Sequence, residues 1–103
     1  MAKPSDKKGK EEQILKHSTE DEKGALIIHT DGSAINANKK GQERAGIGVL
    51  VVDHPYYNIS RPLLEDERPW TISRAELIAI YESLKMILSH NLHIRESRII
   101  IKS

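Results

Sequence analysis

The chain has 103 residues, 16 Lys and Arg against 15 Asp and Glu for a net charge of +1, and no cysteine. It is therefore one domain at most, it can build neither a disulfide framework nor a thiolate metal site, and its overall charge makes no electrostatic case for a nucleic-acid partner. No apolar run approaches the roughly 18 residues of a membrane span, and no charged-then-apolar leader precedes a small-residue cleavage site, which points to an intracellular protein, cytoplasmic or nuclear rather than secreted.

The first 24 residues are dense in Lys, Glu and Asp of interspersed sign, and Ile14-Leu15 is their one aliphatic pair. Such a stretch has too little apolar surface to offset the entropy of ordering, so residues 1–24 are expected to form a disordered charged tail. Lys7-Lys8-Gly9-Lys10 reads as part of that solvated run, because Glu11 and Glu12 follow at once. The domain is then 25–103, near the lower size limit for independent folding.

A first strand is expected from Ala25 to about Thr30, a nearly continuous aliphatic run of the kind that both sheet faces cover. From Gly32 to Arg44 the chain is polar and reads as a loop. A second strand spans Ala45 to Val52, and its alternate glycines, Gly46 and Gly48, open one face to close approach by a backbone or a ligand. Tyr56 to Leu64 gives a third strand, with Pro62 arguing for an edge position. After the acidic loop Glu65-Asp66-Glu67, the spacing of Leu77, Ile80, Leu84, Ile87 and Leu88 predicts an amphipathic helix to about His90. A last strand runs from about Arg98 to Lys102.

Two antiparallel hairpins followed by a right-handed helical crossover make a mixed α/β sheet in which the fourth strand lies beside the first. Asp31, at the exit of the first strand, then stands near the helix start and the end of the fourth strand. Asp31-Gly32 alone is an ordinary turn dipeptide, and Ser73-x-x-Glu76 alone matches a capping box. Together they suggest convergence. Two carboxylates held ~4 Å apart repel by about 4 kcal/mol at an effective dielectric near 20, so the pair needs a proton or a cation. Hard oxygen ligands favour Mg²⁺ or Mn²⁺. His29 reads as a packed strand residue, and the other histidines share no metal-ligand spacing.

Three strings in this order, His29-Thr30-Asp31-Gly32-Ser33, Ala45-Gly46-Ile47-Gly48-Val49 and Thr71-Ile72-Ser73-Arg74-Ala75-Glu76-Leu77, resemble type 1 ribonuclease H, in spelling nearest the eukaryotic and retroelement versions. The resemblance runs from about Leu26 to Ser103. It implies an α/β, ribonuclease H-like mixed sheet in strand order 3-2-1-4, and hydrolysis of the RNA strand of RNA–DNA hybrids with two Mg²⁺ ions held by four carboxylates. It further implies that Asp31 bridges the two ions, that Glu76 ligates one, that Gly32, Ser33 and Asn36 approach the hybrid backbone, and that Ser73 and Arg74 contact RNA near the scissile phosphate.

The departures from the family pattern shape the expectation as much. Lys102-Ser103 align just before the family's third carboxylate, the fourth lies further on, and Ile72-Ser73 replace the Asn or Gln that often precedes the Arg-Ala-Glu string. The expected protein is thus the N-terminal part of a ribonuclease H domain, inactive or nearly so by itself. The alternatives are a non-catalytic nucleic-acid-binding module and a form that covers its open sheet with a second chain or by self-association.

Overall fold

The computed structural model describes residues 22–103. The reading of the tail through residue 21, Ile14-Leu15 included, lies outside the described residues. Of the remaining tail positions, Glu22 pairs with Lys102 at 2.5 Å.

Four strands form one sheet in the order β3-β2-β1-β4. β1 is Leu26–Ile35, β2 Arg44–Val51, β3 Ile59–Pro62 and β4 Ile99–Lys102, with helix α1 at Ile72–Ser89 and the single turn α2 at Leu92–Arg95. β1 pairs antiparallel with β2 and parallel with β4, and β2 pairs antiparallel with β3. The mixed order and the crossover are those expected from the pattern of strands and helix.

β1 is longer than its aliphatic run. It continues through Asp31 to Ile35, with Asp31 opposite Gly48 and Ile35 opposite Arg44, so Asp31 lies within a strand and at neither a strand exit nor a turn. The polar residues after Gly32 disguised this half of the strand. Their alternating exposure is that of a strand covered on one face only. β3 is shorter than expected, because Pro55–Tyr57 forms a 3₁₀ turn that buries Tyr57 against the sheet. Pro62 sits on the edge strand, where no ladder bond is missed.

α1 begins at a Thr71 cap whose side-chain oxygen accepts the Arg74 amide at 3.1 Å. Thr71 thereby displaces Ser73 from the capping role that the Ser73-x-x-Glu76 spacing suggested. The helix also presents a different face from the one its large residues predict. Ala75, Ala79, Ser83, Met86 and Ile87 are buried, whereas Leu77, Tyr81, Leu84 and Leu88 are 66, 59, 46 and 60% exposed. Small residues let the helix lie close on β1 and β2. One cluster, Leu26, Ile28, Val49, Val51, Tyr57, Met86, Ile87 and Leu92, fills the space below the helix end, and Ile47, Leu63, Ala75 and Ala79 fill it below the start. Among the described residues no helix covers the opposite face of the sheet, and none is long and apolar enough to cross a membrane.

The tightest contact is at Gly32. A Cβ there would land 2.5 Å from the Ala75 carbonyl carbon and against the Glu76 amide nitrogen, whereas a Cβ at Gly48 would meet nothing within 4 Å. The close backbone approach expected at Gly46 and Gly48 is met at Gly46, where a Cβ would lie 3.3 Å from the Arg61 carbonyl oxygen, but not at Gly48, and the tightest approach is at Gly32. Gly32→Ala should destabilise the fold by about 1–3 kcal/mol, since backbone must move, while Gly48→Ala should stay within about 0.5 kcal/mol of the parent. Urea denaturation midpoints of the two variants test this.

The connection from β3 to α1 is clipped by charge. The Glu67 carboxylate takes both Arg61 Nη donors at 2.8 and 3.0 Å and the Leu64 amide at 2.6 Å, while Arg61 also reaches Glu82 on α1 at 3.2 Å. The Arg61 hydrogen bonds, joined by the Leu64 amide, hold the Glu67 carboxyl at about 2, against the opposing effect of burial. A lowered carboxylate stabilises the fold above its ordinary value of 4.5 and loses that contribution as pH falls towards 2. Thermal melts across that window should therefore show a steeper loss of stability for the parent than for Glu67→Gln.

Candidate active site

β4 ends beside His29, and beyond that register β1 continues through Thr30 and Asp31 without a parallel partner among the described residues. A cavity of about 270 Å³ opens there, lined by Thr30, Asp31, Glu76 and Ser103. It stands at the carboxyl end of β4, where that strand stops beside the middle of β1. The wall is set by long-range packing. Thr30 is buried and donates its hydroxyl to the Lys102 carbonyl at 3.5 Å, a weak tie between the middle of β1 and the end of β4.

Asp31 and Glu76 reach this cavity from different elements. Asp31 is exposed on β1, and Glu76 is exposed one turn into α1. The helix can come this near because Gly32, next to Asp31, has no side chain to hold it off. Asp31 also borders a wider trough of about 630 Å³ on the uncovered sheet face, shared with Ser33, Arg44, Gly48, Ser60 and Arg61. The trough is larger, but the two carboxylates meet only in the smaller cavity. Chemistry is better served by that convergence than by volume.

The donor set fits a hard divalent cation. Two carboxylates and a space of about 270 Å³ accommodate an ion that keeps several waters, each needing about 30 Å³. Among the described residues no group of three or more His, Cys, Asp or Glu side chains converges to hold a metal. Two carboxylates are what this cavity offers.

The other expected site residues are distributed more widely. Gly32 faces α1 and supports the site sterically. Ser33 is exposed beside Asp31 on the trough, and Asn36 stands at the end of β1 with φ 56°, its carbonyl accepting the Lys39 amide at 2.9 Å. Ser73 is exposed on the first turn of α1, and the Arg74 guanidinium donates Nε to the Glu67 carbonyl at 3.2 Å. Sequence reasoning passed over Thr30, although a β-branched hydroxyl beside Asp31 in an aliphatic strand was a signal. It also passed over Glu67, whose acidic neighbours made it look like ordinary loop.

The family model described as RNase H matches residues 23–102, which span all four strands and both helices. No curated protein and no solved structure matches the chain. A match over most of its length, together with the 3-2-1-4 mixed sheet, makes the chain a member of the ribonuclease H family of nucleases.

Proposed function

We propose that this chain is a ribonuclease H-type endonuclease domain directed at the RNA strand of RNA–DNA hybrids, and that by itself it is inactive or nearly so. The observation that carries this reading is the meeting of Asp31, from β1, and Glu76, from α1, on one cavity in a chain of this family. Asp31 and Glu76 would hold Mg²⁺ or Mn²⁺ through hard oxygen donors. When bound, such an ion supplies Lewis-acid stabilisation of the phosphoryl oxygens and a more acidic water.

The chain's own residues would do the rest. Ser33, exposed next to Asp31, is available to hydrogen-bond the hybrid backbone, and Ser73 offers a hydroxyl at the start of α1. The amides of that helix start favour a phosphate. Arg74 gives Nε to the Glu67 carbonyl, and the Nη donors of its exposed guanidinium would meet RNA. Gly32 and the Thr71 cap hold the start of α1, and with it Glu76, at the cavity. The two-ion mechanism that the family resemblance implies uses four carboxylates, and the described residues bring two to the cavity.

A second reading, binding of nucleic acid or of another chain without catalysis, draws on the sheet face and the outer edge of β4 that no described residue covers or pairs. Cleavage of an end-labelled RNA–DNA hybrid with Mg²⁺ and with Mn²⁺ separates the two. Little or no product is expected from the parent, and any trace should vanish in Asp31→Asn and Glu76→Gln. Vigorous cleavage lost in both variants would keep the site and overturn the inactivity. Salt-dependent hybrid binding with no divalent-dependent cleavage would favour the second reading.

A further inference from the structure

The turn between β1 and β2 carries positive charge that no described carboxylate neutralises. Lys39 and Lys40 are exposed, and neither forms an ion pair among the described residues. Arg61, Arg68, Lys85 and Lys102, by contrast, each face a carboxylate. Glu43, the nearest acid in sequence, is turned to other work. Its Oε2 accepts the Gly41 amide at 2.9 Å, its Oε1 faces Arg68 at 3.8 Å, and its side chain is only 15% exposed. Arg44 donates Nη1 to the Glu43 carbonyl at 2.9 Å, a bond that leaves its own charge uncompensated.

The turn is also built rather than loose. The Lys39 amide donates to the Asn36 carbonyl at 2.9 Å and the Gln42 amide to the Lys39 carbonyl at 2.8 Å, with Asn36 and Gly41 at positive φ. The Glu43 carboxylate closes the loop from inside. A turn whose backbone is already fixed loses less entropy when its side chains meet a ligand than a mobile loop does.

Position gives the charge a meaning. From Asp31 to Ile35 β1 advances about 13 Å at the usual rise, so the lysines stand some four nucleotide steps from the cavity along a strand of 3.4 Å rise. They lie at the same end of the sheet as Asp31 and Glu76. Two other basic residues without ion pairs among the described residues, Arg95 and Arg98, precede β4 and lie at the opposite end.

We propose that Lys39 and Lys40 form a phosphate-contacting tip that fixes the register of the hybrid on this chain, several nucleotides from the cleavage position. This rests on the hybrid-directed reading given above. Each phosphate contact releases counterions, so it is read in the salt dependence of binding and adds affinity without sequence preference.

The test is fluorescence anisotropy of a labelled RNA–DNA hybrid over a salt series without divalent ions, with folding of each variant checked by circular dichroism. For Lys39→Gln with Lys40→Gln, the slope of log affinity against log salt should become shallower by roughly 1.5 to 2. Lys39→Arg with Lys40→Arg should keep the parent slope. Arg95→Gln with Arg98→Gln, which changes net charge equally, should keep it too. An unchanged slope in the Gln pair, or an equal change in the arginine control, overturns the tip while leaving hybrid binding in place. Failure of the parent chain to bind hybrid at all overturns the functional reading, and the tip with it.

Discussion

The space that a side chain at position 32 would need is filled by the backbone of Ala75 and Glu76. That steric fact ties the site to the core. With a hydrogen in place of Cβ, α1 descends on β1 until Ala75 and Ala79 are fully buried, and Glu76, one residue along, arrives at the mouth of the cavity beside Asp31. Neither carboxylate is held by an ion pair to another described side chain. Their meeting is the by-product of packing between two elements, so the precision of the site is that of a close-packed interior rather than of a flexible loop.

Around this contact the chain restrains the start of α1 in several independent ways. Thr71 caps it, Glu67 joins Arg61 of β3 to the turn before it, and Arg74 holds the Glu67 carbonyl. The Trp70 indole donates to the Leu64 carbonyl at 2.9 Å, with the Arg68 guanidinium 3.9 Å above the ring. These bonds lie near the surface and each is individually modest. Their common effect is to fix the entry direction of a helix that is otherwise located only by its contact with the sheet.

The sheet order was legible because aliphatic runs and a long amphipathic segment dictate few topologies at this length. The far half of β1 was not, since Asp31, Ser33 and Ile35 face the uncovered side and carry no burial signal. Ladder bonds to β2 make that half a strand, and such long-range pairing leaves little trace in local composition. The helix was legible in extent but not in orientation. Of its expected core residues Ile87 is buried, but Leu77, Leu84 and Leu88 suggested a face turned from the sheet, because close packing over the first turns selects small side chains there. At the site, Asp31 and Glu76 stood out through their strings, whereas the structural use of Gly32 depends on Ala75 and Glu76, far away in sequence, and that of Arg74 on how the turn before the helix folds back to it.

The packing of α1 has a consequence for how this helix tolerates change. Hydropathy would rank Leu77, Leu84 and Leu88 as its indispensable residues, yet much of their surface already lies in water, and trimming them removes little from the interior. Ala75, Ala79 and Ser83 contribute almost no apolar area of their own, but they are fully enclosed, so one added methylene at any of them would press helix and sheet apart. Drift among descendants of this sequence would therefore run against the hydrophobicity scale. The exposed leucines of the helix are free to turn polar, while the smallest residues are held in place along with the buried Met86 and Ile87.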